Sequence, residues 1–540
     1  MRGSCPSRNV LAAVAQGFSP ASGAAMKGCA TSASAIRASV LLIVLALGGV
    51  CAASSGDQRL IEAVKNRDLE SVRALLKEHP AGLDVNATQG DGSTALHWAV
   101  HRDDAMVADL LIRAGAHANV ANDLGVTPLH LACTNRSAAM VERLLAASAS
   151  PRAALPNGET VLMTCARAGG FESVKALVAS GADVNARERE HDQTALMWAA
   201  AERHPDVVRL LIDAHADIRA RSRAYPQTVV GEQTQRAGRE ELNYTVMRGG
   251  ATALLFTARV GDLESARLLL AAGADPNDAQ PDGVSALVLA AHSGHRDVAA
   301  ALLDKGANPN DMGIGYSALH AAILRSDLKL VKTLLAYGAN PNLRMTRGTP
   351  VRRNSTDYFL LAPLIGATPY LLAAKFLEPE MMQVLLAGGA DPKMTMPDGA
   401  TALMLAAGAG SPTNADRRGI NVIDFGKVEP EAKVLPAVQA AWSANADMSA
   451  SDAAGNTALH AAVNHRYVAV VQFLVDRGAV VNVRNKAGLT PLELLMSPQR
   501  PTEKPVGATS AGTSSSGREV AGESATERIA ALLGKLGATQ

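Results

Sequence analysis

Aromatic residues are scarce in this 540-residue chain: Phe, Trp and Tyr make up 3% of it, although hydrophobic residues reach 48%. The apolar side chains are therefore mainly those of Ala, Leu and Val, a composition that suits thin helices stacked closely rather than one large globular core. An excess of either charge is also absent, since 52 Lys and Arg residues oppose 51 Asp and Glu residues. This balance gives no indication of a nucleic-acid partner.

Motifs that carry chemistry are lacking too. The sequence has no nucleophile elbow, no phosphate-binding glycine loop, no zinc-type cysteine pairs and no haem-attachment string. We therefore predict no catalytic residue, no cofactor and no metal, and hence neither an enzyme nor a small-molecule substrate.

The first 53 residues have the pattern of an export leader. An apolar run over residues 40–50 is followed by Cys51 and Ala52, and small residues at this point suit cleavage by a signal peptidase. The run is too short for a membrane span, and a start at Met26 would give the basic segment before it a more usual length. A cleaved signal peptide is favoured, with the protein periplasmic or extracellular; an uncleaved N-terminal membrane anchor is the alternative.

A short string recurs along the rest of the chain. It consists of Thr or Ser, a Pro or small residue, Leu and often His, and its copies begin at Thr94, Thr127, Thr160, Thr194, Thr252, Ser285, Ser317, Thr368, Thr401, Thr457 and Thr490. Seven of the ten spacings between these starts are 32–34 residues, and the other three are longer. A period of about 33 residues predicts a repeat array, in which the three long spacings mark insertions.

Each unit has the composition of two short helices and a turn. The Thr or Ser can cap the first helix, and Pro suits the first turn of that helix. The second helix carries paired leucines, as at residues 110–111 and 268–269, and ends at a glycine suited to the left-handed conformation. A string such as Asp-Pro-Asn at residues 275–277 follows, and this composition is typical of turns.

These residues resemble the ankyrin repeat over roughly residues 57–495. The resemblance implies an all-α repeat solenoid, an ankyrin-repeat array of helix-turn-helix units with projecting β-hairpin fingers. Two units depart from the pattern, because Ser148 and His215 replace the terminal glycine.

The organisation predicted from the repeats begins with the leader at 1–53 and an N-terminal capping repeat at 54–90. The segments that follow are ankyrin repeats at 91–218, a basic finger insertion at 219–249, repeats at 250–342, a second basic finger insertion at 343–365, and repeats at 366–496 that are interrupted at about 411–430. Residues 497–525 are rich in Ser, Gly, Thr and Pro and predict a disordered loop. Residues 526–540 then supply a C-terminal capping helix.

Only two of the five cysteines lie beyond the leader, Cys133 and Cys165 in neighbouring units. A disulfide needs Cα atoms within about 7 Å, and stacked helices lie about 8–10 Å apart. The sequence therefore predicts two buried free thiols.

Histidines recur with the repeat string at His97, His130, His320 and His460. We expect them to tie neighbouring units by hydrogen bonds. His292 and His295 have a spacing seen in metal sites. His295 falls in the turn between the two helices, however, where ankyrin repeats commonly carry Gly-His, so we interpret the pair as structural.

The fourth residue after each Thr or Ser defines an apolar row that we expect on the concave side of the first helices. Its members are Trp98, Leu131, Thr164, Trp198, Phe256, Leu289, Ala321, Leu372, Leu405, Ala461 and Leu494. Large aromatic residues anchor protein interfaces, which favours a groove for a protein segment; packing beneath the fingers is the alternative. The candidate partner-binding residues are Trp98, Leu131, Trp198, Phe256 and Leu289.

The two basic finger insertions carry arginine and tyrosine but no lysine. Arginine suits bidentate recognition of carboxylates or phosphates, so these residues are the second set of candidates for partner binding: Arg221, Arg223, Tyr225, Arg236, Arg239, Arg344, Arg347, Arg352, Arg353 and Tyr358. Solvated loops that the fold tolerates are the alternative. The third insertion, between the two helices of its unit, is expected to have a separate role.

The sequence favours an exported protein–protein interaction scaffold that acts as a monomer on a partner with an acidic surface. A secreted effector or toxin-neutralising protein, acting on a host or competitor target, is the alternative. An enzyme with its site in the insertions has no support beyond their length.

Overall fold

The computed structural model describes residues 58–80, 83–230, 243–349, 360, 362–409, 430–497 and 524–538. These residues form helices arranged in pairs and one two-stranded antiparallel sheet. The helices are α1 Arg59–Lys65, α2 Leu69–Glu78, α3 Ala95–His101, α4 Ala105–Arg113, α5 Pro128–Thr134, α6 Ala138–Ala146, α7 Val161–Ala168, α8 Phe171–Ala179, α9 Ala195–Ala201, α10 Pro205–Asp213, α11 Ala253–Val260, α12 Leu263–Ala271, α13 Ala286–Ser293, α14 Arg296–Asp304, α15 Ala318–Leu324, α16 Leu328–Ala336, α17 Pro369–Lys375, α18 Pro379–Ala387, α19 Ala402–Ala406, α20 Glu431–Ser443, α21 Ala458–Asn464, α22 Val468–Asp476, α23 Pro491–Met496 and α24 Ala525–Lys535.

The pairs stack in two layers. We call the first, odd-numbered helix of each pair the inner helix and the second the outer helix. Each inner helix packs against the inner helices of the neighbouring units, as α3 does against α1 and α5, and the outer helices form a parallel layer of their own. The predicted repeat solenoid is therefore confirmed.

The local structure follows from the repeat string. Thr94 has an extended backbone, and its hydroxyl accepts a hydrogen bond from the N–H of His97 in the first turn of α3. The second residue after the cap is buried in every described unit, and it is Leu in all of them but one, where it is Tyr370. Small buried residues further along, such as Ala99 and Ala132, allow the inner helices to approach closely. In the outer helices after α2, one leucine of each pair is fully buried, for example Leu111 and Leu211.

The outer helices end in the left-handed conformation. Gly115 has φ of 90° and Gly273 has φ of 94°, values that glycine adopts without a steric penalty. Ser148 and His215 hold the same conformation, with φ of 63° and 64°, where the glycine is replaced. The repeat therefore keeps its turn even where the residue that favours the turn is missing.

The two cysteines contradict the expectation of free thiols. Cys133 and Cys165 form a disulfide, and their Cα atoms are 4.5 Å apart. The prediction was wrong because it used an average spacing between helix axes, whereas the Ala-rich inner helices α5 and α7 approach much more closely at these positions. The disulfide joins two neighbouring units, and both side chains are fully buried.

The C-terminal end of the array is covered by α24. This helix packs against α22 and α23, and its Ile529 and Leu533 are fully buried. The side-chain amide of Asn482 donates a hydrogen bond of 2.9 Å to the carbonyl of Gly537, just beyond the helix. Among the described residues no helix combines the length and the apolar character needed to cross a membrane.

In each finger insertion, the segment at its start is hydrogen-bonded to the segment at its end. Strand β1, Tyr225–Val230, is antiparallel to β2, Asn243–Arg248, with Tyr225 opposite Arg248. In the second insertion the N–H of Met345 donates to the carbonyl of Ala367 at 2.9 Å, and the N–H of Thr349 donates to that of Leu360 at 2.9 Å. A 3-10 helix, Ala362–Leu364, lies between these two hydrogen bonds. Residues 410–429, which include nearly all of the third insertion, lie outside the described residues.

Candidate functional site

The apolar row divides into an accessible part and a buried part. Trp98, Trp198, Phe256 and Leu289 are half-buried, as is Leu494 at the C-terminal end. The remaining members of the row are buried within the array: Leu131, Thr164, Ala321, Leu372, Leu405 and Ala461. Leu131 is only 8% exposed, so this candidate packs between units and offers little surface to a partner.

Trp98 lies between two basic side chains. The Nζ atom of Lys65, in the preceding unit, is 5.0 Å from the centre of the indole ring, within the range of a cation–π interaction. The ring of His101, one turn along α3, meets the indole edge to face at 5.9 Å. The indole N–H of Trp98 is buried without a hydrogen-bond partner among the described residues.

Trp198, three units beyond Trp98, has an environment equivalent to that of Trp98. The guanidinium of Arg167 lies over its ring, with Cζ 4.6 Å from the ring centre. Arg167 also forms an ion pair of 3.1 Å with Glu159, a residue that is 2% exposed. The hydroxyl of Thr164 donates a second hydrogen bond to Glu159 at 2.9 Å. Burial raises the pKa of the Glu159 carboxyl, although Arg167 and Thr164 oppose that rise.

Arginines occupy equivalent places at the start of the two finger insertions. The guanidinium of Arg221 donates to the carbonyls of Gly250 and Ala279 at 2.8 and 3.0 Å, and pairs with Asp278. Arg344 donates to the carbonyls of Gly366 and Thr395 at 2.8 and 2.7 Å. In each insertion one arginine therefore joins the start of the finger to its end and to the next finger.

The other candidates in the insertions differ in their environment. Arg223 makes two hydrogen bonds of 3.1 Å to the carboxylate of Asp192. Arg347 is exposed, and Tyr225 is 43% exposed on β1. Five of the predicted residues lie outside the described part of the chain: Arg236, Arg239, Arg352, Arg353 and Tyr358. Among the described candidates of the insertions, Arg221, Arg223 and Arg344 are exposed too but are already engaged within the protein, which makes Arg347 and Tyr225 the more available members.

The recurring histidines cap their own helices. The Nδ1 atom of His97 accepts the N–H of Thr94 at 3.1 Å, so the proton is on Nε2, which donates to the carbonyl of Val126 in the next unit at 3.0 Å. His460 forms the corresponding bond with Leu489 at 3.2 Å. The expected ties between units are therefore confirmed for these two. In His130 and His320 the Nε2 atoms are buried without a hydrogen-bond partner among the described residues.

The same arrangement of cap, paired helices and finger matches a known family. A family model described as "Ankyrin repeats (3 copies)" matches residues 60–154, 140–222 and 248–345, and one described as "Ankyrin repeats (many copies)" matches residues 444–495. Together these matches cover more than half of the chain. The chain belongs to the ankyrin-repeat family.

Ankyrin repeats mediate protein–protein interactions, so the array is a protein-interaction scaffold. Members of the family are generally non-catalytic. His295 fits this account, because its Nε2 donates to the carbonyl of Arg259 at 3.0 Å and so ties two neighbouring inter-helix turns of the ankyrin array. Function must therefore come from the surfaces that the ankyrin units expose.

The carboxylates that engage the arginines were not predicted from the sequence; they are Asp192, Asp278 and Glu159. Asp278 lies 57 residues from Arg221, and only the stacking of ankyrin units brings them together. That Arg167 and Thr164 share a partner could have been inferred in part from the sequence. Arg167 follows Thr164 by three residues, and residues three apart in a helix lie on the same face, where both engage Glu159.

Proposed function

We propose that the protein is an exported scaffold that holds a protein partner, with an acidic surface, against the concave face and fingers of the array. The observation that carries this proposal is the accessible part of the apolar row. Trp98, Trp198, Phe256 and Leu289 all lie in the N-terminal half of the array and retain exposed surface. Half-buried aromatic side chains in a fixed environment are typical anchors of protein interfaces, because they bury a large area at a small cost in conformational entropy.

Two observations support export. The leader pattern at residues 1–53 indicates a cleaved signal, and the disulfide between Cys133 and Cys165 is of a kind that persists in oxidising compartments. A cytosolic environment would keep both thiols reduced. Periplasmic or extracellular residence accounts for both features.

Mass spectrometry of the protein isolated from cell fractions tests export. We expect an intact mass that corresponds to cleavage near residue 53, in the periplasmic or extracellular fraction, and no alkylation of Cys133 or Cys165 before reduction. A full-length chain in the cytosolic fraction, with both Cys133 and Cys165 alkylated, would contradict the proposal. Retention of the leader in a membrane fraction would instead favour the N-terminal anchor.

Removal of the two tryptophans tests the binding surface. We expect the double variant Trp98→Ala and Trp198→Ala to lose a partner that the wild type retains in a pull-down from the envelope fraction. The fall in affinity should be about 1000-fold, because each anchor contributes about 2 kcal/mol. Trp442→Ala is the matched control, since Trp442 is also half-buried but lies on the outer helix α20. Unchanged binding by the double variant, with its helicity intact, would contradict the proposal. Recovery of a host or competitor protein as the partner would favour the effector or toxin-neutralising function.

A further inference from the structure

A second row on the inner helices contains no carboxylate. It consists of the residue seven positions after each N-cap, and we call it the basic row. In the twelve described inner helices six members of this row are basic and the other six are uncharged. The basic members are Lys65, His101, Arg167, Arg259, His292 and Lys375.

The basic row lies beside the apolar row. The two rows are three residues apart on each inner helix, and side chains with this spacing share a face. Contacts between units confirm the arrangement, since Lys65 lies over Trp98 and Arg167 lies over Trp198. In these two places a basic residue of one unit therefore covers the apolar residue of the next.

The outer helices, in contrast, carry both basic and acidic side chains, which form ion pairs. Arg143 pairs with Asp109 at 3.2 Å, Arg209 with Glu264 at 3.4 Å, and Lys175 with Glu172 at 3.6 Å. Positive and negative side chains thus neutralise one another along that layer. In a chain with a formal charge of only +1, a row without acidic residues on the inner layer is a local separation of charge.

The members of the basic row differ in their exposure and in their contacts within the protein. Lys375 is buried, and Arg167 is held by the buried Glu159. Lys65 pairs with Glu62 at 2.9 Å, but Glu62 is 54% exposed, and an exposed pair of this kind contributes little, so that a partner carboxylate can replace it. Arg259 is exposed and His101 is half-buried.

We propose that the basic row docks the acidic side of an amphipathic protein segment whose apolar side lies on the apolar row. This inference rests on the proposed function and names the chemistry of the partner. Neighbouring inner helices are about 10 Å apart, and an α-helical segment advances about 10.5 Å in seven residues. An apolar side chain in every seven residues would therefore match successive units, and a carboxylate at a multiple of seven residues would meet each unit that presents a basic side chain.

A designed peptide tests the inference directly. The probe is an amphipathic helix of about 36 residues, or about 54 Å, long enough to reach from Lys65 to Arg259, with a leucine stripe flanked by glutamates; the comparison peptide has lysine in place of each glutamate. We expect the intact protein to bind the glutamate peptide, with a change in tryptophan fluorescence, and not the lysine peptide. The double variant Lys65→Glu and Arg259→Glu is expected to weaken binding of the glutamate peptide by about tenfold or more.

Two outer-helix residues provide the matched control. Arg267 and Lys332 are exposed on α12 and α16, so Arg267→Glu with Lys332→Glu changes the net charge equally. This control is expected to bind within about twofold of the wild type, and Lys65→Gln with Arg259→Gln serves if the reversals disturb folding. Equal losses in the two double variants, equal binding of both peptides, or no binding of the glutamate peptide would overturn the inference. The scaffold would still stand if a natural partner required Trp98 and Trp198.

Discussion

At pH 5 the array is expected to be about 4 kcal/mol less stable towards unfolding than at pH 7, because of two histidines. Burial lowers the pKa of both His130 and His320 from the ordinary value of 6.5 to about 4. The unfolded chain therefore binds protons that the folded chain does not, over the window from about pH 6.5 to pH 4. Each histidine contributes a loss of about 2 kcal/mol at pH 5. Burial lowers the pKa of His97 and His460 as well, in the same direction.

Urea unfolding at pH 7, 6 and 5, with hydrogen exchange to locate the units that open, measures this effect. The unit that contains His130 and the unit that contains His320 are expected to lose protection first as the pH falls. His130→Gln and His320→Gln should each reduce the pH dependence even if they lower stability at pH 7. His117→Gln is the control, because His117 is exposed. A pH dependence that is the same in all three variants would contradict the assignment.

The fold was predictable because its determinants are local and repeat. A cap at Thr94 or Thr127, small residues behind it and a left-handed turn at Gly115 each act within one unit, and the period places every unit in register. The turn is kept even where His215 replaces the favoured glycine, and there the side-chain amide of Asn185 donates a hydrogen bond of 3.3 Å to the carbonyl of His215. The disulfide could not be predicted in the same way, because the separation of Cys133 and Cys165 depends on how closely two particular inner helices approach.

The candidate site was less predictable, because the groups that hydrogen-bond to its side chains lie in distant parts of the sequence. Arg221 was expected to bind another protein, yet carbonyls of Gly250 and Ala279 and the carboxylate of Asp278 already engage it. The apolar row could be derived from the period, but which members retain surface depends on side-chain size and on the finger above each one. At the equivalent position Ala321 is fully buried, but an indole is too large to be enclosed there, so Trp98 and Trp198 retain exposed surface.

Lys375 is a buried charge whose removal is expected to stabilise the protein. It ends α17, is 5% exposed, and donates one hydrogen bond of 2.8 Å to the carbonyl of Ala409. Burial lowers its pKa from 10.5 to about 8, so the folded protein pays about 3 kcal/mol at pH 7 to keep the side chain charged. The same charge also lowers the pKa of His465, although burial is the main cause there.

Lys375→Met keeps the length of the side chain and removes the charge, but it also loses the hydrogen bond, which costs about 1 kcal/mol. We expect a net gain of about 2 kcal/mol in the free energy of unfolding at pH 7, measured with urea. Because the penalty disappears as the pH rises from about 8 to 10.5, the gain should fade over that window and become a small loss above it. Lys332→Met, at an exposed position on α16, should show neither the gain nor its pH dependence. A loss of stability at pH 7 would mean that the hydrogen bond to Ala409 outweighs desolvation, and that the unit beside the third insertion depends on this lysine for its folding.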